Sequence, residues 1–158
     1  MKKKFFWNFF FILTVFLLDR VSKISIINLL ENSDNGHIQV TNFLSFNLIW
    51  NEGIAFGLFS FDEKLYYNFL TIIIILVTAV ILWMILKTSG LEKIAFLMIF
   101  GGSLGNIFDR LVYASVPDFI DLHFNNFNWF IFNVADIFIS MGVILLIYFE
   151  FFKKKINE

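Results

Sequence analysis

Residues 65–86 read LYYNFLTIIIILVTAVILWMIL, an apolar run with no charged side chain. About 20 such residues cross the hydrocarbon core of a bilayer as an α-helix. In that medium every N–H and C=O must be bonded within the protein, so helices are expected. Three other runs fit less cleanly. The first covers about 5–30 and carries charges in its second half; another, about 94–112, is short and glycine-rich; the last covers about 132–152. The alternating pattern of a membrane barrel is absent. Composition agrees, since 59% of the 158 residues are hydrophobic and 24 are Phe, more apolar surface than a soluble domain of this size can hide. The expected fold class is an all-α polytopic membrane protein with four transmembrane helices, a single membrane domain over 1–158.

Basic residues set the expected orientation. Lys2, Lys3, Lys4, Lys87, Lys93, Lys153, Lys154 and Lys155 fall at the termini or between the second and third spans. The 31–64 segment has one Lys and five acids. Both termini and the 87–93 connection are thus expected in the cytoplasm, with 31–64 and 113–131 extracytoplasmic. Trp7 and Trp83 lie near cytoplasmic span ends, Trp50 and Trp129 on the outer side, as interfacial aromatics do. The N-terminal lysines mimic a secretory signal peptide, but there is no small-residue cleavage site and Asp19-Arg20 interrupts the run, so an uncleaved first span is expected. No Cys is present, which excludes disulfides and thiol catalysis. The net charge of −1 gives no indication of a nucleic-acid partner, and none is expected.

In the outer segments, NSDNGH carries a turn signal. HIQVTNFLSFNLIWN after it alternates partially and is rich in β-formers, so a small extracytoplasmic β-sheet is expected there. NEGIAFGLFS reads as a loop against the bilayer. The 113–131 segment reads as a mixed polar and aromatic stretch lying along the interface, with Pro117 disfavouring helix just before it.

Ionisable residues at membrane depth are the informative ones. Asp19 and Lys23 are four apart and can pair on one helix face, which by itself would merely anchor the first span at the interface. In GGSLGNIFDRL, Gly101 and Gly105 permit close helix approach. Asn106, Asp109 and Arg110 follow, and read either as a packing face with a self-neutralising Asp109–Arg110 pair or as support for a site. Asp118 and Asp121 would share one side of a helical turn. Asp136 lies in the first turns of the last span, where a helix N-terminus favours negative charge, and Asn133 could cap that helix.

Asp118 and Asp136 lie at the outer ends of consecutive spans, and a short segment joins them. They can face each other at one depth. Two close carboxylates do not both ionise readily, so they share a proton. One then serves as general base on water while the other polarises a carbonyl, as in an aspartic protease, with no metal or cofactor. His37 and His123 have no metal-ligand spacing. No serine has a nucleophile-elbow context, and no phosphate-binding glycine loop is present. A small proton-coupled transporter remains an alternative on these residues alone, although its acids would be expected nearer the midplane. So does a structural subunit without chemistry.

Five blocks, DRVSK (19–23), NEGIAFGLF (51–59), GGSLGNIFDRL (101–111), PDFIDLHF (117–124) and FNVAD (132–136), resemble in order the lipoprotein signal peptidases (signal peptidase II), membrane aspartyl peptidases of bacteria. The resemblance implies that Asp118 and Asp136 form the catalytic pair and that Asp121 does not belong to it. It implies that Asp19, Lys23, Asn51, Gly53, Asn106, Arg110, Asn133 and Ala135 support the site or contact substrate. The implied substrate is a prolipoprotein with a diacylglyceryl group on its lipobox cysteine, cut just before that cysteine in the bacterial inner membrane. Membrane lipid and globomycin-type inhibitors are the other implied partners. Ser103 and Pro117 depart from the family pattern, and only Pro117 raises a question of local backbone shape.

Overall fold

The computed structural model describes residues 2–31, 36–53, 63–124, 127–128 and 130–156. Its helices are α1 (Lys2–Glu31), α2 (Glu63–Lys87), α3 (Gly90–Tyr113) and α4 (Val134–Ile156). Its strands are β1 (His37–Gln39), β2 (Leu44–Asn51), β3 (Val116–Phe124) and β4 (Phe127–Asn128). Helices α2, α3 and α4 are each long and apolar enough to cross a membrane. Helix α1 is 30 residues long, with Asp19, Arg20 and Lys23 inside it. The connection expected at 87–93 is only Thr88 and Ser89, because Lys93 already lies within α3.

Helix α3 is the centre, packed against α4, α1 and α2. Small residues make that possible. A Cβ on Gly101 would sit 2.8 Å from Val15 Cβ of α1, and one on Gly102 would sit 2.6 Å from the Ala135 carbonyl of α4. Gly142 reciprocates from α4, where a Cβ would meet the Ala95 carbonyl at 2.7 Å. Backbones this close gain dispersion contacts that lipid cannot replace. Helix α2 has no such seam, and Leu65, Phe69, Ile72, Leu76, Val80 and Leu86 are exposed along it.

The sheet is antiparallel, in the order β1-β2-β3-β4. The β1–β2 pair follows the alternating stretch, as expected. The 113–131 segment, expected as a mixed polar and aromatic stretch along the interface, forms strand β3 over Val116–Phe124. Ala114 takes a left-handed φ of 54° at the C-cap of α3, and the chain turns there into β3. Pro117, which has no N–H, sits at the start of the strand opposite Trp50. In a strand the side chains alternate, so Asp118 and Asp121 fall on opposite faces rather than on one helical side. Asp118 is 4% exposed. Asp121 is half-buried and accepts a 3.4 Å bond from the Ser45 hydroxyl. The inner face of the sheet seats Phe119 against Ile26 and Leu30 near the end of α1, with Phe46, Leu48 and Val134 around them.

The α3–α4 seam gives a direct test. Gly102→Ala should lose about 1–3 kcal/mol, the usual range for overpacking a tight contact, read as a lower thermal midpoint in detergent. An unchanged midpoint would mean that α4 can shift away from α3 freely.

Candidate active site

Deep between α1 and α3 lie four charges. The Lys23 ammonium spans both oxygens of Asp19 at 2.9 and 3.0 Å and reaches Asp109 Oδ2 at 2.7 Å. The Arg20 guanidinium bonds Asp19 Oδ2 at 2.8 Å and both oxygens of Asp109, the Oδ2 contact at 2.7 Å. Asp19 and Asp109 are fully buried and Lys23 is 1% exposed. Two acids and two bases cancel, which allows such a cluster to sit out of water. Phe108 lies under the guanidinium, 4.9 Å from ring centroid to Cζ. Gly105 is a glycine because a Cβ there would collide with the Asp19 carboxylate.

This corrects two readings of the sequence. Asp19 and Lys23 do pair, but as part of a buried cluster rather than as an interfacial anchor. Asp109 pairs with Arg20 and Lys23 of α1, not with its neighbour Arg110. Arg110 instead donates to the Asn106 carbonyl one turn back, at 3.1 Å, and its own carbonyl accepts from the Tyr67 hydroxyl of α2 at 3.4 Å.

The cluster holds the start of α4, since Asp19 Oδ1 accepts the Ala135 N–H at 3.0 Å. Ala135 is wholly buried, and the free N–H groups of a first helical turn need such an acceptor. Asn133 is the N-cap. Its Oδ1 accepts the Asp136 N–H at 3.1 Å, and Asp136 Oδ2 accepts the Asn133 N–H at 3.1 Å. This is a capping box with aspartate in the third helical position. It orients Asp136 while the helix dipole favours its charge.

The other end of the Asn133 amide donates to Asp118 Oδ1 at 2.5 Å. One fully buried residue therefore bonds both carboxylates, Asp118 through its side-chain amide and Asp136 through its backbone N–H. Asp136 Oδ1 accepts from Asn106 Nδ2 at 2.8 Å, and Asn106 Oδ1 accepts from Lys23 at 3.0 Å. Asp118 Oδ2 accepts from Asn51 Nδ2 at 2.8 Å. Asn51 is held in turn by the Gly53 N–H at 2.8 Å, in a turn that gives Gly53 a φ of 79°, a conformation open to glycine. A Cβ on Gly53 would also meet Leu70 at 2.6 Å.

Burial pushes the Asp118 carboxyl above its ordinary value. The Asn51 and Asn133 donors pull the other way, nearby Asp136 adds to the rise, and Lys23 opposes it. Asp118 lines an open cavity of about 360 Å³ with Ile49, Trp50, Asn51, Glu52 and Ile131. Two linked carboxylates, one of them lining an open cavity, can do general acid–base work on a carbonyl.

Of the residues singled out in the sequence, Asp19, Lys23, Asn51, Asn106, Asn133, Ala135, Asp118 and Asp136 form one connected network, with Gly53 behind Asn51. Arg110 borders it through Asn106. Arg20 and Asp109 belong to the network and were not put forward as site residues, although both lie within the matched blocks DRVSK and GNIFDRL. His37 is exposed on β1, and among the described residues no group of His, Asp and Glu is arranged to hold a metal. The part of NEGIAFGLFS from residue 54 onward lies outside the described residues.

The chain matches the family described as signal peptidase (SPase) II over residues 11–152. The lipoprotein signal peptidase of Pelagibacter ubique is 51% identical over 158 residues, covering 99% of this chain and 95% of that protein. The lipoprotein signal peptidase of Aquifex aeolicus is 41% identical over 143 residues, covering 89% of this chain and 83% of its own. A solved bacterial membrane enzyme, determined by the in meso method at 2.3 Å resolution, superposes with a TM-score of 0.78 at 29% identity, over 96% of this chain and 90% of that one.

The charge cluster should dominate stability. Lys23→Met leaves two buried acids facing one base and should cost about 3–5 kcal/mol, whereas Asp121→Asn, half-buried with one long bond to Ser45, should stay within about 0.5 kcal/mol. Thermal unfolding of both variants in detergent checks the contrast.

Proposed function

The chain belongs to the signal peptidase II family, membrane aspartyl peptidases that process prolipoprotein signal peptides, and we propose that Asp118 and Asp136 are its catalytic pair. The observation that carries this assignment is Asn133, whose one amide caps the α4 turn bearing Asp136 and donates to Asp118. It holds the two carboxyls in a fixed relation, as proton sharing requires.

The ionised carboxylate takes a proton from water as the water oxygen adds to the scissile carbonyl carbon. The protonated partner donates a hydrogen bond to the carbonyl oxygen as it gains charge. Collapse of the tetrahedral adduct breaks the C–N bond, and the abstracted proton passes to the leaving nitrogen. The products are a signal peptide with a new carboxylate and a lipoprotein with a free amine on its lipidated cysteine. A diacylglyceryl group on that cysteine keeps the cut close to the membrane surface. Asp19, Lys23 and Asn106 brace Asp136, Ala135 carries the bond that fixes its helix, and Asn51 with Gly53 braces Asp118. Arg110, beside Asn106, is assigned to substrate contact. Globomycin-type inhibitors are assigned to the cavity beside Asp118.

In the proposed topology both termini face the cytoplasm and the sheet and carboxylates lie at the outer face. The grouping of lysines at the termini and near the α2–α3 turn supports this. So do exposed Trp7 and Trp83 toward one membrane face and exposed Trp50 toward the other.

Cleavage of a lipidated prolipoprotein by the purified enzyme, with and without globomycin, tests the assignment. Asp118→Asn and Asp136→Asn should each lower the rate by at least about 10²–10⁴-fold, the range for loss of a general acid or base, while Asp121→Asn keeps most activity. Full cleavage by either of the first two variants would remove the pair. The pH profile of kcat/KM should be bell-shaped, since both acids are protonated at low pH and both ionised at high pH. The raised Asp118 carboxyl moves the high-pH fall above the ordinary carboxylate range. A high-pH fall at an ordinary carboxylate value would contradict this.

A further inference from the structure

Each carboxyl of the pair accepts two donors of enforced direction, and the pair is unequal in how firmly those donors are held and in burial. An ammonium has only donors, so the oxygen of Asn106 must face Lys23 and its NH₂ must face Asp136 Oδ1. The second oxygen of Asp136 faces the Asn133 backbone N–H, which also can only donate. Neither donor can reverse. Both are set by parts that do not yield, the interior of α3 behind a buried lysine and the first turn of α4.

Asp118 is held differently. It is 4% exposed, whereas Asp136 is only half-buried, so a charge on Asp118 is the more poorly hydrated. One of its donors, Asn51, is an exposed side chain at the end of β2 that also lines the cavity. A ligand entering there can displace that amide and free Asp118 Oδ2.

Resting on the assignment of the pair, we propose that Asn106 is a positioning residue which, fixed by Lys23, presents Asp136 as the proton acceptor and leaves the shared proton on Asp118. The charged groups in or bordering the bonded network around Asp136 are Asp19, Arg20 and Lys23 of α1, Asp109 and Arg110 of α3, and Asp118 of β3; after Asp136, α4 has no charged residue before Glu150. The cluster behind Asn106 is neutral as a whole. Its influence on Asp136 therefore runs through the enforced direction of one amide rather than through a long-range field. Asp118 thus keeps the proton that polarises the carbonyl, and the better-hydrated Asp136 meets the attacking water.

The test is kcat/KM against pH for the full-length wild type and Asn106→Ala, with a lipidated prolipoprotein as substrate. Loss of one donor to a charged acceptor should move the low-pH limb upward by about one pH unit. The high-pH limb and KM should stay in place while kcat falls. Lower activity with both limbs unmoved, or movement of the high-pH limb alone, overturns the role of Asn106. Should Asn106→Ala show no thermal transition, carboxyl ¹³C resonances of the wild type give the same answer, assigned with Asp118→Asn and Asp136→Asn. Asp118 should hold its proton above the ordinary carboxylate range, and loss of that proton within the ordinary range overturns the proposal. Failure of the pair itself reads out separately, as full cleavage by either Asp→Asn variant, and overturns both.

Discussion

The rest of the molecule hangs on a neutral cluster of four buried charges. Asp19, Arg20 and Lys23 come from one face of α1 and Asp109 from α3. No single pair among them would be stable at that depth, because desolvation outweighs one contact. Together they cross-bond fully enough to replace water, and they lock the two helices at one height. Asp19 uses its remaining capacity on the Ala135 N–H, so the same cluster sets where α4 begins. The glycines of α3 are the steric condition for this arrangement. Gly101 and Gly102 let α1 and α4 approach, and Gly105 leaves room for the Asp19 carboxylate itself.

Three asparagines carry that rigidity to the carboxylates. Asn106, Asn133 and Asn51 each have their oxygen occupied by an obligate donor, respectively Lys23, the Asp136 N–H and the Gly53 N–H. Each NH₂ is then forced toward Asp136 or Asp118. An amide is suited to this because it is neutral, planar and two-ended. It transmits orientation without adding a charge that would hold both acids ionised. Fixed donors around two carboxyls are the kind of preorganisation that peptide hydrolysis needs at a site open to water.

The sheet completes the site in a way the helices alone could not. Pairing with β2 fixes β3 as a strand, and the alternation of a strand sends Asp118 and Asp121 to opposite faces. Asp121 therefore lies on the other face of β3 from Asp118, where it accepts from the Ser45 hydroxyl. The register that places Ile49 opposite Asp118 also brings Asn51 to the same end of the cavity.

The sequence by itself determined a great deal. The uncharged run at 65–86 required a membrane helix, the β1–β2 stretch announced its pairing, and Asn133 with Asp136 already spelled a helix start. Five ordered blocks carried the family and most residues of the bonded network that links Asp118 and Asp136. Local pattern is sufficient for these because they depend on neighbours close in the chain or on residue type at fixed spacing. What only the tertiary structure decided was partnership at long range. Asp109 beside Arg110 looked self-paired, and Asp118 with Asp121 looked like one helical turn. Asp109 instead bonds residues some ninety positions away, such as Arg20, and Asp118 takes its direction from a strand whose partner lies in another segment. A charge at membrane depth must find its complement somewhere, but sequence proximity does not say where; only the packing of α1 on α3, and of β3 on β2, makes that choice.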